Sequence, residues 1–138
     1  MRRYLVIANQ TLVSEDLLEK VTSCHAEEAA TFHLVVPATP PPGGNPWSEG
    51  EANALASHRL EEALARYREL GIDVDGEVEV ANPVHAVGNV MRHLVFDELI
   101  ISTLPLGVSQ WIGQDVVSRL RRAVDIRVTH VVTTLVHA

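Results

Sequence analysis

The chain alternates between short apolar segments rich in β-branched residues and longer segments in which apolar residues recur at helical spacing. Strands are predicted at residues 4–8, 31–36, 72–80, 99–101 and 127–136, with a helix in each interval between them. This β-α-β-α-β-α-β-α-β order predicts an α/β fold: an open parallel sheet with right-handed crossovers and helices on both faces. Segments 4–8 and 99–101 are uniformly apolar, as central strands covered on both faces require. The predicted strand order is therefore 3-2-1-4-5.

Capping residues mark several element boundaries. Ser14 can cap the first helix, with two acidic residues following it near the helix N-terminus. Asn82 followed by Pro83 predicts the start of the third helix, and Gly71 can end the second helix in the left-handed region. Residues 39–48 contain too much proline and glycine for regular structure, so an exposed loop is expected there.

Composition narrows the kinds of protein that this fold could be. The 138 residues, 1–138, are expected to form a single domain, since domains usually hold roughly 100–200 residues. A net charge of −7 argues against nucleic-acid binding, because a polyphosphate is bound by a basic surface. No apolar run approaches the roughly 18 residues of a membrane span, and no signal-peptide core is present. A cytoplasmic protein without a membrane or nucleic-acid partner is expected.

Several catalytic and metal-binding signatures are missing from the sequence. Lys20 is the only lysine and lies outside any glycine-rich setting, so a phosphate-binding P-loop is excluded. The seven histidines contain no H-E-x-x-H motif, and Cys24 is the only cysteine. No G-x-S-x-G turn is present either. We therefore predict no catalytic residue and no metal site.

The carboxyl ends of the strands are where a ligand is expected. In open parallel sheets, ligands bind at these ends, beside the point where the strand order reverses. Asn9 follows the first strand, Pro37 and Thr39 follow the second, and Ser102 and Thr103 begin the loop after the fourth. These five residues are the first candidates for ligand contact.

The loop after the fourth strand allows two interpretations. It contains Gly107 and leads into the fourth helix, whose free N-terminal amides could bind an anion. Pro105, however, has no amide donor, and Asp115 would place a negative charge near a phosphate. The segment is therefore either a tight strand-to-helix turn or a nucleotide site. Trp47, in the Pro/Gly-rich loop, could likewise stack on a base or anchor that loop.

Three segments resemble the universal stress protein family. Residues 97–105 read D-E-L-I-I-S-T-L-P and resemble that family's D-x-I-V-M-G-T-H-G. Residues 82–87, N-P-V-H-A-V, are similar to its D-P-x-x-A-I, and residues 109–132 resemble its last helix and closing P-V-x-V-V strand. The resemblance covers nearly the whole chain. It implies that family's Rossmann-like fold, its dimer and its adenine-nucleotide site.

The chain departs from the family's nucleotide-binding motif, G-x2-G-x9-G-[ST]. In that motif, glycine amides and a hydroxyl hold phosphate and ribose. Ser102 and Pro105 replace the first two glycines, and after a one-residue deletion Gln114 and Asp115 stand at the last two positions. Asn9 stands where the family's first strand ends in an aspartate beside the adenosine. The chain thus resembles members that lack the motif and do not hold ATP.

The resemblance implies a small binding or signalling module, non-catalytic and homodimeric, with a degenerate nucleotide site. No cofactor is predicted other than ATP or another adenine nucleotide, which would bind weakly. The alternative is an ATP- or AMP-binding universal stress protein with slow ATP hydrolysis. The candidate ligand-contacting residues lie at the strand ends and at the start of the fourth helix: Asn9, Pro37, Thr39, Ser102, Thr103, Gly107, Gln114 and Asp115.

The last strand indicates how two copies could assemble. Residues 128–136, from Val128 to Val136, are β-branched and nearly uncharged, and the predicted order makes them an edge strand. An edge strand leaves amides and carbonyls unpaired. Antiparallel pairing with the same strand of a second copy, about a twofold axis, satisfies them most simply. The alternative is a monomer whose last residues cover the edge.

Overall fold

The computed structural model describes residues 1–8, 11–38, 49–79, 82–103 and 113–133, with the side chains of residues 49–52 and 113–115 left out. Within these residues, strands and helices alternate along the chain. Their bounds are β1 Arg2–Ile7, α1 Glu15–Glu27, β2 Ala30–Pro37, α2 Glu49–Glu69, β3 Asp73–Glu79, α3 Pro83–Met91, β4 Glu98–Thr103, α4 Gly113–Ala123 and β5 Arg127–Val132.

The strands form one parallel sheet in the order β3-β2-β1-β4-β5. In the centre, Tyr4 of β1 pairs in register with Phe32 of β2 on one side and with Glu98 of β4 on the other. Strands β3 and β5 are the two edges. The predicted α/β class, parallel sheet and strand order are confirmed.

Helices cover both faces of this sheet, and each face has its own apolar core. On the first face, Val6, Leu34 and Ile100 pack with side chains of α1 and α2. On the second face, Leu5 and Ile101 pack with side chains of α3 and α4. Successive residues of β1 therefore enter different cores, which explains why this strand contains no polar alternation.

The predicted helix boundaries follow local chemistry. The Ser14 hydroxyl accepts a hydrogen bond from the Leu17 amide at 3.3 Å, and the Asn82 side chain accepts one from the His85 amide at 3.0 Å. Gly71 follows α2 with a φ of 78°, the left-handed conformation that favours glycine. All three capping predictions are confirmed.

Strand β4 is longer than predicted. Ser102 and Thr103, expected in the following loop, are its last two residues and pair in register with Val131 and Val132 of β5. Both are buried, at 1% and 3% exposure. Their hydroxyls have hydrogen-bond partners, so burying them is not costly. Similarly, β2 continues through Pro37, which pairs with Glu79.

No helix in the described ranges is both long enough and apolar enough to cross a lipid bilayer.

Candidate functional site

The carboxyl ends of β1 and β4 lie side by side at the centre of the sheet. The helix that follows β1 packs on the first face, whereas the helix that follows β4 packs on the second face. Connections that leave in opposite directions open a crevice between the two strand ends, which is where ligands bind in sheets of this kind. We call this region the central crevice.

Four hydroxyl side chains meet at the central crevice, and we call them the hydroxyl cluster: Thr11, Ser14, Ser102 and Thr133. The Ser102 hydroxyl donates to Thr11 Oγ1 at 2.7 Å and lies 3.4 Å from Thr133 Oγ1. Thr133 Oγ1 is in turn 2.9 Å from Ser14 Oγ. The cluster thus joins β4, the turn after β1, the end of β5 and the N-terminus of α1.

Backbone contacts hold the hydroxyl cluster in place. The Thr133 amide donates to the Thr103 carbonyl at 2.8 Å, which extends the β4–β5 ladder by one residue. The Ser14 amide donates to the Thr11 carbonyl at 3.1 Å and closes a turn. From α2, the buried Tyr67 hydroxyl donates to the Leu12 carbonyl at 3.0 Å. This turn is therefore anchored from two sides.

The side chains of the hydroxyl cluster carry no charge. A hydroxyl has one proton to donate and two lone pairs, so chained hydroxyls can satisfy one another without a charged partner. Thr11, Ser102 and Thr133 are nearly fully buried, at 4%, 1% and 5% exposure. The cluster can orient and hydrogen-bond a ligand, but it contains no side chain with the pKa of a general acid or base.

A histidine lies beside the crevice on the second face. Thr103 Oγ1 is 2.7 Å from Nε2 of His130, which belongs to the edge strand β5. Burial, and secondarily the positive charge of Arg121 on α4, lower the pKa of His130 below its ordinary value. This environment favours the neutral imidazole.

The structure brings three of the candidate residues to one edge of the sheet. Pro37 ends β2, and Ser102 and Thr103 end β4. Because neighbouring strand residues face opposite sides, Ser102 contacts Thr11 on the first face and Thr103 contacts His130 on the second. The other candidates lie outside the described residues or have side chains outside them: Asn9, Thr39, Gly107, Gln114 and Asp115. Trp47 and Pro105 also lie outside them.

The sequence predicted Thr11 at the carboxyl end of the first strand, but it did not identify Ser14, Thr133 and His130 as residues of this region. A signal for the hydroxyls exists: Thr11, Ser102 and Thr133 each lie at or just after the carboxyl end of a strand. In a parallel sheet these ends meet at one edge, so recurring hydroxyl residues there predict a shared polar cluster.

A second group of polar side chains lies between β2 and the edge strand β3, on the side of the sheet away from β5. His33 of β2 has Nδ1 2.6 Å from Asp75 Oδ1 and Nε2 2.8 Å from Glu77 Oε2, both on β3. Burial, followed by the nearby Glu77 carboxylate, raises the pKa of Glu79.

In the part of the chain that the structure describes, no group of three or more His, Cys, Asp or Glu side chains is arranged to hold a metal ion. The contacts of His33 attach β3 to β2, and β1 separates β2 from β4.

A shallow groove lies at the other end of β5. It has a volume of about 290 Å³ and is lined by apolar residues of α3 and of the turn between α4 and β5, with Arg92 and Asp125 also lining it. Because that turn precedes β5, the groove is at the amino end of the strand. It is separate from the central crevice.

The fold and the central crevice define a structural class: an open parallel α/β sheet with uncharged hydroxyl side chains at the reversal of strand order. No protein-family model matches the chain, and no curated protein sequence matches it.

Among solved structures, the chain is similar to universal stress proteins. One universal stress protein, in complex with cAMP, is 19% identical, with a TM-score of 0.68 over 96% of this chain and 98% of that one. The universal stress protein from Archaeoglobus fulgidus in complex with dAMP is 12% identical, with a TM-score of 0.65 over 95% and 97%. A universal stress protein family protein from Arabidopsis thaliana with AMP bound is 12% identical, with a TM-score of 0.61 over 97% and 93%. The chain has the universal stress protein fold.

Proposed function

We propose that residues 1–138 form one universal-stress-protein-like binding module that takes an adenine nucleotide weakly at the central crevice. The observation that carries this proposal is the position of the hydroxyl cluster at the reversal of strand order, in a fold shared with three universal stress proteins that hold cAMP, dAMP and AMP. The sequence resemblance adds a stress-associated role to the proposal, and the composition of the chain adds a cytoplasmic location.

The expected contacts are the eight candidate residues of the strand ends and of the start of α4. Weak binding follows from how those positions are filled. The Ser102 hydroxyl already donates to Thr11, so it has no second proton for a phosphate oxygen. Pro105 has no amide proton, and the carboxylate of Asp115 repels phosphate. Since the hydroxyl cluster supplies no general base, we propose a binding role without catalysis.

Calorimetric titration with AMP, cAMP and ATP tests the proposed site. We expect a dissociation constant for each nucleotide that is weaker than micromolar. The double variant Gln114→Gly/Asp115→Ser restores the residue types of the binding motif and should improve ATP affinity by on the order of 1 kcal/mol, roughly fivefold. Glu61→Ser is the matched control, because it removes one negative charge from an exposed position of α2.

Micromolar or tighter binding of ATP by the unmodified chain would contradict the degenerate site. If phosphate were also released slowly from ATP, the alternative of a nucleotide-hydrolysing universal stress protein would be supported instead. Absence of binding by all three nucleotides at millimolar concentration would contradict an adenine-nucleotide site of either kind.

We also propose that two copies pair through β5. This strand is an edge of the sheet, its residues are only half-buried or exposed, and Val132 is 48% exposed. Within the described residues, no strand pairs with the outer side of β5, and antiparallel pairing of residues 128–136 with a second copy would fill this edge and cover Val132.

Light scattering at tens of micromolar protein tests the dimer. We expect about 30 kDa, twice the chain mass of 15.1 kDa. Val132→Lys places a charge on the edge and should give a monomer. Leu70→Lys, a change at a 41% exposed position after α2, should remain a dimer. A monomeric unmodified chain would contradict the proposal.

A further inference from the structure

His130 lies within the edge strand β5, between residues of the proposed dimer interface. Its neighbours Val128 and Val131 pack against the cores on opposite faces of the sheet, whereas Val132 is exposed. Any antiparallel pairing of this edge with a second copy places the partner's strand beside His130. The inference below therefore rests on the proposed dimer.

The groups around His130 suit a neutral imidazole. On the β4 side, Thr103 Oγ1 lies 2.7 Å from Nε2, and a hydroxyl can donate to an unprotonated ring nitrogen. On the α4 side, among the side chains that the structure describes, the charged group that acts on the ring is the cation Arg121. Within the described residues, no carboxylate is bonded to His130, unlike His33, which has two. Among the described residues, a proton added to His130 would therefore meet a like charge and no carboxylate counter-ion.

We propose that protonation of His130 dissociates the β5-paired dimer, so that the chain is a dimer at neutral pH and a monomer in acid. Binding of a proton to His130 would thus control whether β5 pairs with the same strand of a second copy.

The direction of the effect follows from linkage. Burial and Arg121 lower the pKa of His130 in the single chain, and a second copy would bury the ring further and lower it more. The dimer then binds fewer protons than two monomers, so acid favours the monomers. The effect begins as the pH falls through the pKa of His130 in the single chain, which lies below the ordinary histidine value of about 6.5. Each copy contributes one histidine. If the proton binds each ring about tenfold more tightly in the monomer than in the dimer, full protonation weakens dimerisation by about 100-fold.

The overall charge of the chain predicts the opposite trend. Its net charge is −7 at pH 7 and its isoelectric point is about 5.4, so acidification reduces the repulsion between two copies. Without a local switch, the dimer should become tighter between pH 8 and pH 5.5. Weaker association in acid is therefore diagnostic of a group at the interface.

Sedimentation equilibrium between pH 8 and pH 5.5, at several protein concentrations, tests the switch. For the unmodified chain we expect a dissociation constant that rises at least tenfold across this range, with a midpoint that moves to lower pH at higher concentration. His130→Gln cannot gain the charge and should stay dimeric throughout. His58→Gln, at an exposed position of α2, should behave like the unmodified chain. Arg121→Gln should move dissociation to higher pH, because it removes the cation that opposes protonation.

The outcomes separate the two proposals. A monomer at pH 8 for the unmodified chain would contradict the dimer itself. A dimer at pH 8 that is equally tight or tighter at pH 5.5 would contradict the His130 switch and leave the dimer standing. Equal acid dissociation of His130→Gln and the unmodified chain would also contradict the switch. If His130→Gln fails to fold, Arg121→Gln decides the question, because dissociation at the same pH as in the unmodified chain would contradict the switch.

Discussion

Ser102 has a hydroxyl that is almost completely removed from solvent and donates to Thr11 Oγ1. Ser102→Ala deletes this donor and leaves a buried acceptor without it, which should lower the free energy of unfolding by about 1–3 kcal/mol. Urea denaturation measures the change. Ser23→Ala, an exposed change on α1, should alter stability by no more than about 0.5 kcal/mol. Equal stability of both variants would mean that the hydroxyl cluster contributes nothing to the fold.

At the scale of single residues, side-chain contacts between neighbours in the sequence could be predicted, whereas contacts between residues far apart in the sequence could not. The Ser14 and Asn82 caps depend on residues three positions away, so the sequence contains the whole interaction. The hydroxyl cluster joins residues 91 and 119 positions apart. No local pattern states that Thr11 and Ser102 meet, because their contact depends on the pairing of β1 with β4.

Among the structural elements, the contact between β3 and β2 includes one position that only glycine fits. A Cβ added at Gly76 would lie 2.7 Å from the Leu34 carbonyl oxygen and 2.7 Å from Leu60 Cδ1. Because one of these atoms is backbone, Gly76→Ala must displace β3 from β2, and we expect a loss of roughly 1–3 kcal/mol in stability.

Gly88 on α3 provides the matched control for Gly76. A Cβ there meets nothing within 4 Å, so Gly88→Ala should raise stability by about 0.5–1 kcal/mol through helix propensity. Thermal unfolding of the two variants and of the unmodified chain measures the expected loss of stability in Gly76→Ala and the expected gain in Gly88→Ala. A Gly76→Ala protein as stable as Gly88→Ala would contradict the close packing of β3 on β2.

The predicted elements were accurate where periodicity determined them and less accurate at their ends. Apolar runs place β1 and β4, and helical spacing places the helices between strands. The end of β4 was missed because Ser102 and Thr103 are polar residues, which usually indicate a loop. Here their hydroxyls are bonded to Thr11 and His130, so the strand continues into buried polar positions.

For the whole molecule, the strand order could be predicted because burial on both faces leaves a signature in the central strands. The uninterrupted apolar run of residues 4–8 fits only a position between two other strands with helices above and below. The ligand cannot be derived in this way. An adenine nucleotide is recognised by a few contacts at strand ends, and in this chain those positions lack the glycines of the binding motif.

The central claim is that an adenine nucleotide binds weakly between the carboxyl ends of β1 and β4. Titration of the isotope-labelled chain with AMP, followed residue by residue by NMR, tests it most directly, with inorganic phosphate as the control ligand. We predict saturable shifts at the amides of Ala8, Thr11, Ala38, Thr103 and Thr133, with much smaller changes in phosphate alone. Shifts confined to the groove between α3 and the α4–β5 turn, or none at millimolar AMP, would contradict the claim.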